Sequence, residues 1–302
     1  MIQDKGRREG IFAPSLGAAV MARIAHLSDV HTLDPQLRRS SARYRFATKF
    51  VSLGRPVDPR LRAQKLLRGL AAAKASGADH VVITGDLTEM GDASEFEHFA
   101  NLLEEAGMPE DSVTLVPGNH DAYTTPAAWR RALEGPLRRY AGASAGEPGK
   151  VIDRGSVAFL PVDTSFFQSM VRAGGLFTGD AAKAVQARID DPGLRDKAIV
   201  LVMHHPPFVE HKNPLAQWIV GLSGRTHILE MLANHPGLQL LHGHLHRVVD
   251  RIVDLGKGAF GAAGRARVFG APATVDDAEG SPRVRLYDVR DGLLESAGLY
   301  AM

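Results

Sequence analysis

The sequence predicts an α/β fold, in which a sheet with crossover helices is completed by antiparallel strands. Over the first two-thirds of the chain, short runs of strand-forming apolar residues alternate with segments whose apolar residues recur at helical spacing. Near the end, four strand-like runs follow one another with no helical segment between them. A two-residue turn signal, Asp291-Gly292, separates the last two runs and predicts a hairpin. This order of elements favours an α/β sheet with antiparallel additions.

Ten segments are predicted as strands, because each is a short run of apolar, strand-forming residues. In chain order they are Arg23–Leu27, His80–Thr84, Val113–Val116, Val157–Val162, Ala198–Met203, Leu238–Leu241, Val248–Val253, Ala266–Phe269, Arg283–Val289 and Leu293–Leu299.

Helices are predicted between the earlier strands from apolar spacing and start signals. The first is a partly helical segment around Ser41–Phe50. The second begins near Pro59, since proline is well tolerated in the first turn of a helix. Asp92, with Glu95 three residues later, forms the capping box of a third helix, and Thr178 caps a fourth.

The composition indicates an ordinary globular protein of one domain. The chain has 302 residues, of which 44% are hydrophobic, and its 31 glycines and 17 prolines are not pooled in a linker. It has no cysteine, so disulfides are excluded and any metal must be held by nitrogen and oxygen ligands. No run of 18 apolar residues predicts a membrane-spanning helix. A cytoplasmic location is the corresponding expectation.

The first residues of the chain are interpreted as a leader outside the domain. Residues 11–22 follow three basic residues and weakly resemble a signal peptide, but a proline and a glycine interrupt the apolar stretch. Cleavage after Ala22 would also leave no linker before the first strand. We therefore expect residues 1–21 to be a disordered leader, with Met21 as the natural start, and residues 22–302 to form a single domain.

A basic stretch lies between Gln36 and Arg68, and much of it falls in an insertion near residues 33–60. It has ten basic residues and one acid, Asp58, giving a charge of +9 against +2 for the whole chain. Such a block indicates an anionic partner or a solvated basic helix face, and the sequence leaves both open. The residues predicted to meet an anionic membrane surface, at the inner face of the membrane, are Arg38, Arg39, Arg43, Arg45 and Lys49. The remaining basic residues of the stretch are Arg55, Arg60, Arg62, Lys65 and Arg68.

Polar side chains follow five of the predicted strands at the point where each strand ends. They are Asp29, Asp86, Asn119, His204 and His244. Ligands of open α/β sheets bind beyond the carboxyl ends of the strands, so these residues are expected to meet at one edge. Carboxylate oxygen, amide oxygen and neutral imidazole together suit Mn, Fe or Zn rather than Ca. Two such ions about 3.5–4 Å apart can clamp a phosphate and activate water.

These motifs resemble the calcineurin-like metallophosphoesterases over roughly residues 22–250. The matching runs are Asp29-Val-His31, Gly85-Asp86, Gly118-Asn119-His120-Asp121, His204-His205 and Gly243-His244-Leu245-His246. The resemblance implies a central β-sandwich of two mixed sheets flanked by helices, in four layers. It also implies two divalent or trivalent metal ions.

The resemblance further implies a role for each matched residue. The first metal takes Asp29, His31 and His246, and the second takes Asn119, His204 and His244. Asp86 bridges the two ions. His120 is not a ligand but faces the phosphate, where it assists the leaving group or stabilises charge. The implied reaction is attack of a metal-bridging hydroxide on phosphorus.

Finer details resemble the cyclic-nucleotide phosphodiesterase branch, including His26-Leu-Ser-Asp29 and Val162-Asp163-Thr-Ser165. The leading expectation is therefore a phosphodiesterase acting on a small nucleotide-type phosphodiester. The basic insertion is not part of that branch's usual pattern. It favours, as an alternative, pyrophosphate cleavage of a nucleotide-linked lipid at a membrane surface. A non-catalytic scaffold is the third interpretation, and a nucleic-acid partner is not expected.

Five further residues near the predicted site have a structural interpretation beside a functional one. His26 is expected to form hydrogen bonds inside the core, and His205 to line the pocket or support a ligand. His242 alternates with His244 and is expected to point away from the metals. Asp121 is expected to orient its loop. Asp163 is either a buried structural carboxylate or a substrate contact.

Overall fold

The computed structural model describes residues 19–208, 213–257, 263–277 and 283–300. The strands within these ranges are β1 Ala22–Leu27, β2 His80–Thr84, β3 Val113–Val116, β4 Ile152–Asp153, β5 Val157–Pro161, β6 Gly175–Leu176, β7 Ala198–Val202, β8 Leu222–Ser223, β9 Gln239–His242, β10 Val249–Lys257, β11 Ala263–Gly270, β12 Arg285–Arg290 and β13 Leu293–Leu299. The α-helices are α1 Ala42–Val51, α2 Pro59–Ala75, α3 Ala93–Glu105, α4 Ala128–Glu134, α5 Gly179–Ile189, α6 Pro214–Val220 and α7 Arg225–Asn234.

Two mixed sheets form the centre of the fold. The first has the strand order β13-β12-β1-β2-β3, with β1, β2 and β3 parallel and β12 antiparallel to β1. The second has the order β10-β11-β9-β7-β5-β4, with parallel inner strands and antiparallel edges. The predicted α/β class and the two mixed sheets implied by the family resemblance are both confirmed.

The apolar core lies in three layers, which places the two sheets face to face between helices. On β2, Val81 and Ile83 belong to a cluster with side chains of α2, α3 and α4. Val82, which alternates with them, belongs to the cluster between the sheets together with Val200 and Leu241. A third cluster lies between the second sheet and helices α5 and α7. Strands buried on both faces explain why they read as continuous apolar runs.

The predicted start and turn signals are present in the structure. Asp92 and Glu95 form a reciprocal capping box at α3. The side chain of Thr178 accepts a backbone hydrogen bond at the first turn of α5, as predicted, and that of Ser41 does the same at α1, where no cap was predicted. Asp291 and its glycine neighbour both have positive φ, 47° and 73°, as a two-residue hairpin turn requires.

The sequence missed the short elements and the division of the last four strands. Strands β4, β6 and β8 have two residues each, too few to show a pattern. The terminal strands enter as two antiparallel pairs, with β10–β11 joining the second sheet and β12–β13 the first. Between the pairs lies a single-turn 3-10 helix, Thr274–Asp276, which the sequence did not predict.

The predicted leader falls mostly outside the described residues, which begin at residue 19. Met21 lies beside the first sheet, where its backbone N–H donates to Val289 O at 3.0 Å. Among the described residues, no helix combines the length and the apolar character needed to cross a membrane.

Candidate metal centre

The five strand-end segments predicted to meet do meet, at an edge shared by both sheets. The turns after β1, β2 and β3 come from the first sheet, and the turns after β7 and β9 come from the second. Backbone hydrogen bonds tie these turns together, from Asp29 N to Gly85 O at 3.0 Å and from His31 N to Asp86 O at 2.8 Å. The carboxyl ends of parallel strands thus bring residues more than 200 positions apart into one cluster.

One group of potential metal donors comprises Asp29, His31 and His246. Oδ1 of Asp29 lies 3.3 Å from Nε2 of His246. Nε2 of His31 lies 3.8 Å from Oδ2 of Asp86. Asp29 and His31 are fully buried, and Asp29 Oδ1 has no hydrogen-bond partner among the described residues. A buried carboxylate is costly unless a positive charge balances it, either a proton on a neighbouring imidazole or a metal cation.

A second group of potential donors includes His204 and His244. Nε2 of His204 lies 3.3 Å from Oδ2 of Asp86 and 3.3 Å from Nδ1 of His244. Asn119 donates through Nδ2 to Tyr123 Oη at 2.8 Å, which leaves its buried Oδ1 without a partner among the described residues. Oδ2 of Asp86 is therefore within 4 Å of an imidazole nitrogen from each group, His31 and His204.

Acceptors near Nδ1 orient three of the imidazoles so that Nε2 faces the carboxylates, through hydrogen bonds for His204 and His246 and through an ionic contact for His31. Nδ1 of His204 lies 2.7 Å from Thr84 O, and Nδ1 of His246 lies 3.2 Å from Oδ2 of Asp276. Nδ1 of His31 lies 3.1 Å from Oε2 of Glu89. Each acceptor keeps the proton on Nδ1, which leaves the Nε2 lone pair available to a metal.

Five of the seven non-glycine residues with positive φ, among those described, are predicted ligands. They are Asp29 (51°), His31 (54°), Asp86 (49°), His244 (68°) and His246 (53°). Left-handed backbone at non-glycine residues costs about 1–3 kcal/mol each and concentrates at functional sites. The residue types suit this conformation, since Asp and His tolerate it better than bulky or β-branched residues.

Two glycines allow the turns to approach the donors. A Cβ at Gly118 would clash with Oδ1 of Asp86 and with the Asp86 backbone N. A Cβ at Gly243 would clash with Oγ of Ser28 and with the carbonyl of Thr84. The Gly-Asn-His and Gly-His-x-His motifs therefore need glycine for space around the carboxylates.

The carboxylates make the cluster a favourable place for positive charge. Burial by itself lowers the pKa of His204, but the carboxylates of Asp86 and Asp29 raise it to about 9. Burial likewise opposes protonation of His246, while Asp29 and Asp276 raise its pKa to about 10. Without ions, protons on these imidazoles balance the buried carboxylates, and divalent cations can take over that role.

His120 lies beside these donors but faces a different partner. Its backbone N donates to Oδ1 of Asp86 at 2.9 Å, and its Nδ1 donates to Glu89 O at 2.8 Å. Nδ1 is thus committed to a carbonyl, so Nε2 is the nitrogen that can exchange a proton with a ligand. A pocket of about 430 Å³ is lined by His120 together with Leu53, Arg55, Asp86, Asn119, Ala173, His244, His246 and Asp276.

The sequence missed Glu89 as a supporting residue. Its fully buried carboxylate contacts His31 and forms an ion pair with Arg62, which is 1% exposed. It also accepts from Ser52 Oγ at 2.7 Å. Glu89 lies three residues after Asp86 in the run Gly85-Asp-Leu-Thr-Glu89, which begins with a matched motif, but that run does not say which side chain Glu89 supports.

The sequence also missed Arg55 and Asp276, which contact the predicted ligands. Nη1 of Arg55 lies 3.4 Å from Nε2 of His31. Asp276 belongs to the unpredicted 3-10 helix and holds His246. Neither carried a motif, because Arg55 lies within a run of basic residues and Asp276 lies 30 positions from its partner.

Two of the five further residues are placed as the structural interpretation predicts. His26 lies in the core between Thr84 Oγ1, at 2.8 Å, and Tyr287 Oη, at 3.2 Å. The carboxylate of Asp121 accepts the backbone N–H groups of Leu87, Thr88 and Gly118, so it holds the loops around Asp86.

The remaining three have separate partners. Asp163 accepts both the backbone N–H and the hydroxyl of Ser165, and burial raises the pKa of its carboxyl to about 6. His242 packs against Phe208, with ring centroids 5.2 Å apart. His205 forms a third group of potential metal donors with His204 and His244. Its position next to a predicted ligand had suggested only that it lines the pocket or supports that ligand.

The donor set as a whole fits metal ions. It combines buried carboxylates, an amide oxygen and imidazoles with fixed tautomers, and two of its oxygens have no other described partner. Borderline first-row metals take such mixed nitrogen and oxygen ligands.

Comparison with known proteins points to one family. The calcineurin-like phosphoesterase family model matches residues 22–248. A protein of Synechococcus sp. named "probable cyclic nucleotide phosphodiesterase" is 27% identical over 237 residues, covering 76% of each chain. A protein of Rhodopseudomonas palustris with the same name is 25% identical over 217 residues, covering 68% of this chain and 71% of its own.

Solved structures share the fold at low identity. A dimetal phosphatase from Danio rerio superimposes with a TM-score of 0.64 at 12% identity, over 93% of this chain and 97% of its own. A purple acid phosphatase from yellow lupin gives a TM-score of 0.51 at 11% identity, over 93% of this chain and 52% of its own. At these identities the likeness concerns the fold alone.

Proposed function

Since the chain belongs to the calcineurin-like phosphoesterase family, we propose that it is a metal-dependent phosphodiesterase acting on a small nucleotide-type phosphodiester. The observation that carries the proposal is that Oδ2 of Asp86 lies 3.8 Å from Nε2 of His31 and 3.3 Å from Nε2 of His204, in a cluster where Asp29 Oδ1 and Asn119 Oδ1 are buried without a hydrogen-bond partner among the described residues. The two relatives named as cyclic nucleotide phosphodiesterases favour a diester of nucleotide type.

The proposed site holds two metal ions, chosen from Mn, Fe and Zn. The residues assigned to the first ion are Asp29, His31 and His246, those assigned to the second are Asn119, His204 and His244, and Asp86 is assigned to both. Such a pair, when bound, supplies Lewis-acid stabilisation of phosphoryl oxygens and lowers the pKa of bound water.

Side chains around the site supply the remaining chemistry. Because Nδ1 of His120 donates to Glu89 O, Nε2 is the atom that faces the ligand, and it can donate to the leaving oxygen when the ring is an imidazolium. Arg55 lies at the pocket wall, where its guanidinium can pair with a phosphoryl oxygen. Asp276 and Glu89 keep the imidazoles of His246 and His31 oriented.

The test is hydrolysis of bis(p-nitrophenyl) phosphate by metal-stripped protein with and without added Mn²⁺, beside the monoester p-nitrophenyl phosphate. Mn²⁺-dependent hydrolysis that is faster for the diester is expected. Preference for the monoester would indicate a phosphatase instead. Folded protein that binds no Mn, Fe or Zn by mass spectrometry would indicate the scaffold interpretation.

A second candidate function is cleavage of the pyrophosphate of a nucleotide-linked lipid at the inner face of the membrane. The specific observation is an exposed apolar face on α1. Phe46 and Phe50 follow helical spacing on α1 and are 72% and 48% exposed, with Arg43 and Lys49 beside them, and Leu53, just after the helix, is 81% exposed. Aromatic and aliphatic residues among basic ones are typical of interfacial helices.

Only part of the basic stretch is available to such a surface. Arg62 is buried on Glu89, Lys65 bonds to Val275 O, and Arg68 pairs with Asp277 at 3.0 Å. Co-sedimentation with phosphatidylglycerol vesicles tests this candidate. We expect binding that falls in high salt and in the double variant Phe46→Ser/Phe50→Ser. Equal binding to neutral phosphatidylcholine vesicles, or none, would contradict it.

A further inference from the structure

A second cavity, with mostly apolar walls, adjoins the donor cluster. It has a volume of about 650 Å³, within the range of small-molecule sites. We call it the aromatic groove. Its main walls are Tyr44 and Ala47 of α1, Met90, Tyr123, and Phe167 and Met170 of the facing segment.

Tyr123 connects the aromatic groove to the candidate metal site. Its hydroxyl accepts from Asn119 Nδ2 at 2.8 Å and donates to Arg172 O at 3.0 Å. Its ring lies 4.9 Å from the ring of His120, between centroids. Tyr123 therefore borders both His120 and the aromatic groove.

Two residues of the groove, Tyr44 and Gln168, carry a buried polar atom with no hydrogen-bond partner among the described residues. Gln168 is 8% exposed, and its Nε2 donates to Gly174 O at 2.8 Å. This bond fixes the orientation of the amide, and Oε1 is buried with no hydrogen-bond partner among the described residues. An unpaired buried acceptor costs about 1–3 kcal/mol, so the groove favours a ligand that brings an N–H or O–H donor.

We infer that the aromatic groove binds the nucleobase of the substrate, with a base N–H donating to Oε1 of Gln168. The inference rests on the proposed function and adds the place where the base is held. A planar base stacks on aromatic rings and presents N–H groups at its edge. An acyl chain would fill the apolar walls but leave Oε1 unpaired.

The test compares ligands that differ only in the base. Binding of the four common nucleoside 5′-monophosphates and of ribose 5-phosphate to Mn²⁺-loaded protein is measured by calorimetry. We expect at least one nucleotide to bind about tenfold to a hundredfold more tightly than ribose 5-phosphate. Phe167→Ala, at a 50% exposed position, should remove most of that advantage. Leu299→Ala, at a 52% exposed position on β13, is the matched control and should keep it.

Gln168 provides the second variant. Gln168→Leu should reduce the nucleotide advantage while leaving the affinity for ribose 5-phosphate unchanged. Equal binding of all nucleotides and ribose 5-phosphate would overturn the inference, as would an advantage that survives both variants. Tighter binding of octyl phosphate than of any nucleotide would also overturn it and assign the groove to an acyl chain. Diester hydrolysis, measured separately, distinguishes these results from failure of the proposed function.

Discussion

The guanidinium of Arg55 lies against the imidazole of His31, with Nη1 3.4 Å from Nε2. Nε of Arg55 donates to Ser52 O at 3.0 Å, and the side chain is 15% exposed. The basic insertion therefore places one positively charged side chain, that of Arg55, at the candidate metal site. Nη2 of Arg55 also pairs with Oε1 of Glu89 at 3.7 Å, and the residue lines the pocket, where its guanidinium can contact a phosphoryl group as well.

Arg55→Ala is expected to lower kcat/KM for a phosphodiester by about tenfold to a hundredfold, because it removes a charged hydrogen bond to the phosphoryl group. Metal content should not change, and Arg55→Lys should retain part of the activity. Steady-state kinetics with bis(p-nitrophenyl) phosphate measure the effect, with Arg60→Ala, an exposed residue of the same stretch, as control. Unchanged kcat/KM would contradict this role.

Glu89→Gln is expected to weaken Mn²⁺ binding by about tenfold to a hundredfold, because Gln is a poorer acceptor for Nδ1 of His31. Titration of Mn²⁺ into metal-stripped protein, followed by calorimetry, measures the change. Glu97→Gln, on the exposed side of α3, is the control. Equal Mn²⁺ affinity of the two variants would show that Glu89 serves only the ion pair with Arg62.

Asp86→Asn is expected to abolish hydrolysis and reduce metal content together, because an amide cannot serve two cations as a carboxylate does. Mass spectrometry of the purified protein gives the number of metals per chain. Asp180→Asn, at an exposed position of α5, should retain both metals. Two metals per chain in Asp86→Asn would disprove the bridging assignment.

His120→Ala is expected to slow turnover by about a hundredfold or more while leaving the metals bound, because it removes a proton donor rather than a ligand. Its effect should be smaller with p-nitrophenolate, a good leaving group, than with an alkoxide leaving group. Loss of metal in this variant would instead assign His120 to the ligand set.

His80 should make the fold sensitive to acid. Burial, with a smaller contribution from Arg154, lowers the pKa of His80 to about 3 from the ordinary 6.5. Below about pH 6.5, His80 is protonated in the unfolded chain but stays neutral in the folded chain. The free energy of unfolding therefore falls as pH falls toward 3.

His80→Gln should remove that dependence and keep a partner for Thr114 Oγ1, which lies 2.9 Å from Nε2 of His80. Between pH 7 and pH 5 the unmodified protein should lose about 1–2 kcal/mol more stability than the variant. Urea unfolding in the presence of a chelator gives both values and excludes effects of metal loss. Parallel pH dependences would contradict the prediction.

The sequence alone determined the fold class, most strands and the donors at the ends of β1, β2, β3, β7 and β9. These are local properties. Apolar periodicity marks each strand, and the polar residue after the strand follows it directly in the chain. The carboxyl ends of parallel strands share one edge, so the sequence order of Asp29, Asp86 and His204 was enough to predict that they lie together.

The tertiary structure alone decided which residues support those donors. Asp276 reaches His246 from a 3-10 helix, Arg62 is buried on Glu89, and Arg55 points into the site although its neighbours in the basic stretch are exposed. The direction of a side chain outside regular strands depends on contacts with distant segments, which no local pattern encodes. For the same reason the aromatic groove, formed between α1 and the segment around Phe167, has no motif in the sequence.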